Sequence, residues 1–144
     1  MMNEGEAHLL TPSQFEHYWP MISVEMDKVK HTWEIWWTKE AIYSAVMDGW
    51  LHAWSIGNSE EIHLVAFTQV MNYPANRNLR VVLVVGNELD KYYDITEATI
   101  EKFAINNGCV YIETNGRPGW RRRVKNVQYH GVTLTRKLGT TRVQ

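Results

Sequence analysis

Three runs rich in β-branched and aromatic residues, 50–56, 62–72 and 79–85, lead directly into a helical stretch and a fourth short run at 110–113. This order constrains the fold more than any other feature of the chain. The first three runs are separated only by turn residues, Gly57-Asn58-Ser59 and Tyr73-Pro74-Ala75-Asn76, and read as an antiparallel meander. The helical stretch opens on Asp94-Ile95-Thr96-Glu97, a capping box, and runs to Asn106 before Gly108 stops it. Strand 79–85, helix 94–106 and strand 110–113 then form a β-α-β crossover, whose two strands lie parallel. A meander feeding such a unit predicts an α+β domain with a mixed central sheet and helices on both faces.

The helices for one face lie upstream. Thr11-Pro12-Ser13-Gln14 combines a capping threonine, a proline at the first helical position and a glutamine three residues on. Phe15, Tyr18, Trp19, Ile22 and Met26 follow at three- and four-residue spacing, and Pro20 is expected to kink or split that helix. Thr38-Lys39-Glu40-Ala41 opens a second helix with Ile42, Ala45 and Val46 on its apolar face and Gly49 as its stop. Residues 1–10 form a short lead-in with an extended strand around 7–10. Helical residues follow Pro118, and 129–138 is expected to be a final strand or hairpin. At 144 residues the whole chain, 1–144, is expected to be a single domain.

The apolar fraction of 44% against 22% charged residues is that of a globular chain. Of seven tryptophans, Trp33, Trp36, Trp37, Trp50 and Trp54 fall close together, and the expectation for most is burial. Cys109 is the only cysteine, which excludes an intrachain disulfide, and it reads as a small buried residue. No apolar run approaches the ~18–20 residues that cross a bilayer, so no membrane is expected. The histidines show no pair at helical ligand spacing, and no metal site is expected. His52 and His63 fall on neighbouring strands, where a polar cross-strand pair is the simplest role.

Charge is unevenly spread. Residues 114–144 hold eight Lys or Arg and no acid, whereas residues 1–113 hold seven against sixteen Asp or Glu. The basic segment can attract a phosphate-bearing or acidic partner. On a helix, Arg121 and Lys125 share a face, and Arg and Trp are the residue types most often found at binding hot spots. Arg117, Trp120, Arg121, Arg122, Arg123 and Lys125 are therefore the candidate partner-binding residues, for nucleic acid or an acidic protein surface.

Three segments carry a family resemblance: Asp48-Gly49-Trp50-Leu51-His52-Ala53-Trp54, Phe103-Ala104-Ile105-Asn106-Asn107-Gly108-Cys109 and Gly116-Arg117-Pro118-Gly119-Trp120-Arg121-Arg122. They resemble the small GNAT-like proteins of tailed bacteriophages, and the resemblance spans roughly residues 12–138. GNAT proteins are N-acetyltransferases that use acetyl-CoA. The resemblance implies an α+β GNAT-like fold in which backbone amides after the fourth strand hold the CoA pyrophosphate. Val84, Val85, Gly86, Asn87 and Lys91 are the implied cofactor-binding residues. Here that turn has one glycine and carries Glu88, Asp90 and Asp94, whose charges oppose a phosphate.

The resemblance further implies a tyrosine acting as general acid. Its usual place falls near Val124, and Tyr111, Tyr129 or His130 can substitute, with Tyr129 the candidate carried forward. It also implies a general base, for which Glu113 is the candidate, with pairing to Arg117 or Arg121 as the competing role. The leading expectation is a non-catalytic phage virion, assembly or accessory protein with degenerate acyl-CoA machinery and no cofactor. The alternatives are an acetyl-CoA-dependent N-acetyltransferase and an inhibitor of a host protein. The expected location is the host cytoplasm or the phage particle.

Overall fold

The computed structural model describes residues 6–57, 61–114, 128, 130 and 135–139. The chain divides into two compact units, Met1–Thr114 and Asn115–Gln144. In the second unit, the described residues Gln128, His130 and 135–139 lie outside regular secondary structure. The rest of the expected strand 129–138 falls outside the described residues, as do Arg117, Trp120, Arg121, Arg122, Arg123, Lys125 and Tyr129.

The first unit begins with strand β1 (His8–Leu9), helix α1 (Pro12–Lys28), a short 3₁₀ turn (Lys30–Thr32) and helix α2 (Lys39–Met47). Strands β2 (His52–Gly57), β3 (Ile62–Asn72) and β4 (Arg77–Gly86) follow, then helix α3 (Leu89–Asn106) and strand β5 (Tyr111–Thr114). The strands form one sheet in chain order. All neighbours are antiparallel except β4 and β5, which are parallel and joined by α3, as the crossover pattern predicts.

The amphipathic spacing of the helices produces two cores. Phe15, Tyr18, Ile22 and Met26 of α1 and Ile42, Ala45 and Val46 of α2 bury against Ala53, Val65, Phe67, Leu83 and Val85. Tyr92, Ile100 and Ala104 of α3 bury against Trp54, Ile56, Leu64, Ala66 and Leu79. Adjacent β3 residues thus feed opposite cores, Val65 and Phe67 to one and Leu64 and Ala66 to the other, as the two-residue period of a strand requires. Phe15 and Phe67 meet edge-to-face at 6.2 Å, and both are fully buried. Truncating either ring would cost about 3–5 kcal/mol.

Local signals account for most boundaries. Thr11 caps α1 reciprocally with Gln14, through bonds of 3.1 and 2.9 Å. Thr38 caps α2 by accepting from the Ala41 amide. Gly49, at φ 88°, reverses the chain, and the Trp50 and Leu51 amides both return to the Ala45 carbonyl. That return delays β2 to His52 instead of Trp50. Pro20 neither splits nor ends α1. Phe15 and Tyr18 on one side of it and Ile22 and Met26 on the other enter the same core, so packing on both flanks offsets the lost hydrogen bond.

The tryptophans divide. Trp33 and Trp54 are buried with their N–H groups bonded to the Met26 carbonyl and to Thr68 Oγ1. Trp36 and Trp50, in contrast, are 56% and 46% exposed, and Cys109 is only half-buried. Among the described residues, no helix is long and apolar enough to cross a membrane.

Candidate functional site

β5, described as far as Thr114, pairs with the first half of β4, from Asn78 opposite Tyr111 to Val81 opposite Thr114. Beyond that row the β4 segment from Val82 to Gly86 has no strand on this side among the described residues. Its other side stays bonded to β3 up to Gly86 opposite Leu64. Next to that row the β3–β4 register shifts: Phe67 faces Leu83 while Thr68 faces Val81, so Val82 is the extra residue of a bulge. A bulge breaks the ladder locally and re-aims the backbone, and such irregularities concentrate beside functional sites.

Glu113 stands opposite Arg80, one row below the Val82 bulge's neighbour Val81. Its Oε1 accepts from Tyr73 Oη at 2.7 Å and Arg80 Nε at 2.8 Å, and its Oε2 accepts from Asn78 Nδ2 at 3.0 Å. Arg80 also reaches Tyr73 Oη at 3.2 Å. Arg80, on the adjacent strand, is thus the described cationic partner of Glu113, and Arg117 and Arg121 fall outside the described residues. Partial burial pushes the Glu113 pKa up, but Asn78, Tyr73 and Arg80 together outweigh it, and the carboxyl titrates below its ordinary value. Tyr73 is held as a phenol, its pKa raised first by the bond to Glu113. Three donors on a carboxylate leave one lone-pair direction, on Oε2, for a water or an amine.

The upper end of β4 leads into the turn Gly86-Asn87-Glu88. Gly86 has φ 145°, and a Cβ there would lie 2.3 Å from the His63 carbonyl oxygen. Only glycine allows this approach of β4 to β3. The Asn87 and Glu88 amides both donate to that same carbonyl, at 3.2 and 3.3 Å. The chain therefore enters α3 at Leu89, five residues earlier than the Asp94 signal predicts, and Asp94 lies inside the helix. No side chain caps this N-terminus.

Of the implied cofactor residues, Val85 is buried and Val84 half-buried. Asn87 is exposed, and Lys91 Nζ lies 5.1 Å from the centre of the Tyr92 ring.

Around this turn the structure assembles a cluster that sequence spacing did not reveal. His63 Nδ1 lies 2.7 Å from Glu88 Oε2 and 3.7 Å from Glu61 Oε1, and its ring stacks on Tyr92 at 5.1 Å. The three ligand-type atoms of Glu61, His63 and Glu88 lie within 4.8 Å of one another. They come from two separate elements, which is why a search for closely spaced ligands along the chain misses them. His52 does not pair with His63: it stands opposite Thr68, with Nδ1 3.2 Å from Thr68 Oγ1. Burial lowers the His52 pKa, so its imidazole is neutral at pH 7.

No protein-family model matches the chain, and no curated protein matches it. Solved structures do. An aminoglycoside acetyltransferase from an uncultured soil metagenomic sample, solved in complex with sisomicin, aligns with a TM-score of 0.70 at 8% identity, over 93% of this chain and 96% of its own. A ribosomal-protein-alanine N-acetyltransferase from Brucella melitensis biovar Abortus 2308 aligns with a TM-score of 0.65 at 11% identity, over 93% and 99%. A probable acetyltransferase gives a TM-score of 0.63 at 6% identity, over 91% and 99%. At such identities the likeness speaks for the fold: the chain has a GNAT-like α+β fold.

Proposed function

We propose that the protein is an acetyl-CoA-dependent N-acetyltransferase with a weakened grip on the cofactor pyrophosphate. The observation that carries this reading is the Val82 bulge in β4, which lies just above the Arg80–Glu113 pair, with Val82–Gly86 leading from it to the start of α3. A strand edge binds extended groups that carry amides by adding a ladder, and the pantetheine arm of CoA is such a group. The main chain of Val82–Gly86 would hold that arm, the start of α3 would meet the pyrophosphate and Glu113 would lie on the thioester side. The acceptor amine attacks the thioester carbonyl carbon, the C–S bond breaks, the amine loses a proton and the departing thiolate gains one.

Glu113, through its remaining lone pair and a water, is the candidate to receive the amine proton. Tyr129 is the candidate to supply one to sulfur. The GNAT-like solved structures favour this enzyme reading over the non-catalytic one that the sequence put first. Calorimetric titration with acetyl-CoA tests it. Saturable micromolar binding at one site per chain is the expected result, and absence of binding at millimolar ligand would refute it.

A second reading rests on the turn itself. The Asn87 and Glu88 amides are committed to His63, and Glu88 and Asp90 stand at the helix start where an anion would sit. A non-catalytic phage virion, assembly or accessory protein, or a host inhibitor, would retain the fold and act through Arg117, Trp120, Arg121, Arg122, Arg123 and Lys125. Replacing Arg121, Arg122 and Arg123 with Glu would then abolish partner binding, and a nucleic-acid partner would show a steep salt dependence.

A further inference from the structure

A concave feature lies between α1 and α2: an open groove of about 760 Å³. Its aromatic walls are Trp19 and Tyr43, whose ring centroids lie 5.5 Å apart at 53°. Phe15, fully buried, supports both from below at 5.2 and 6.0 Å. Glu16 and Glu40 supply negative charge to the lining, and Tyr43 Oη donates to Glu16 Oε1 at 2.7 Å. The cationic wall residue, Lys39, is drawn off by Asp27 Oδ1 and Ser23 Oγ, each at 2.7 Å. Pro20, also in the lining, has no N–H to offer the Glu16 carbonyl, which leaves that oxygen without its usual helical donor.

Two aromatic side chains and two carboxylates in one lining select one ligand chemistry. We infer that this groove binds a small alkyl polyammonium, a diamine or polyamine carrying at least two positive charges. Aromatic faces attract ammonium groups, most strongly where they are partly desolvated, and Trp gives the best face. The two carboxylates favour a dication over a monocation. Hydrocarbon between the charges packs on the rings. The net −9 of residues 1–113 strengthens the attraction at low salt. This binding requires neither acetyl-CoA nor a working β4 edge, so it stands or falls separately from acetyl transfer.

The test is calorimetric titration of the full chain, without CoA, with spermidine, n-butylamine and 1,4-butanediol at low ionic strength. Spermidine is expected to saturate at one site per chain, butylamine to bind about tenfold more weakly, and butanediol not to bind. Glu40→Gln and Trp19→Leu are each expected to weaken spermidine binding about three- to tenfold. Glu40 is exposed, so its variant leaves folding intact. Trp19→Phe, which keeps a ring, provides the aromatic test should Trp19→Leu fold poorly. Spermidine binding unchanged in Glu40→Gln and Trp19→Phe, or failing to saturate, overturns the site. So does butylamine binding as tightly as spermidine, which would point to a single ammonium such as a protein lysine.

Discussion

Arg80 and Glu113 face each other across the parallel β4–β5 pair, with Arg80 Nε donating to Glu113 Oε1 over 2.8 Å. The carboxylate is a fixed point for three donors from β4 and the turn before it. Glu113→Gln puts an amide N–H₂ among those donors and removes the charge. The expected loss is about 1–2 kcal/mol, moderated because solvent reaches the site.

The pH dependence of that loss follows from the lowered pKa of Glu113. A carboxyl that binds its proton less tightly when folded stabilises the fold fully above its ordinary value of 4.5. The contribution is lost as pH falls from there through the folded pKa. Urea midpoints of wild type and Glu113→Gln should therefore converge as the solution is acidified below that value. A gap that stays constant with pH would show that the Glu113 charge is not what holds the cluster.

Gly86→Ala should destabilise the protein by about 2–4 kcal/mol. The added Cβ would collide with the His63 carbonyl and with Leu64 Cα, at 2.3 and 2.8 Å, both of them backbone. No side-chain rotation relieves that contact, so β3 and β4 must separate at the top of the sheet. Chemical denaturation measures the loss, and near-wild-type stability would mean that the turn has another conformation.

Pro20→Ala restores an amide opposite the Glu16 carbonyl and should raise stability by about 1–3 kcal/mol, read as a higher thermal midpoint. Pro20 is exposed, so no core packing is lost. A lower midpoint would show that the proline sets a bend that packing requires.

Glu88→Gln with Asp90→Asn should move two properties in opposite directions. Removing negative charge from the start of α3 loses helix-dipole stabilisation and the Glu88–His63 contact, about 0.5–2 kcal/mol in all. The same change should tighten CoA binding about three- to tenfold. Lower stability with unchanged CoA affinity would place the pyrophosphate elsewhere than this turn.

Element types and their order were legible because they rest on local rules. The Thr11 capping box, the helix start at Thr38 and the stop at Gly49 each act within a few residues and appear in the structure as read. Boundaries set by distant partners were not legible. The start of α3 is fixed by the His63 carbonyl on β3, and no propensity near residue 94 reports that. The Glu113 cluster was half legible: the residue stood out at a strand end, but Tyr73, Asn78 and Arg80 reach it only through strand register. The Glu61, His63 and Glu88 grouping depends on the same long-range closure and left no trace in local spacing.

The sheet stands between two apolar clusters that share no residue, one gathered by α1 and α2 and the other by α3. Stability is therefore held in two compartments. The turn proposed to meet the cofactor leads into α3, whose buried residues belong to the smaller compartment. Such a chain can drift toward chemistry, or away from it, while natural selection for foldedness acts on the opposite face. The same partition would let related chains keep one silhouette while their sequences diverge almost completely.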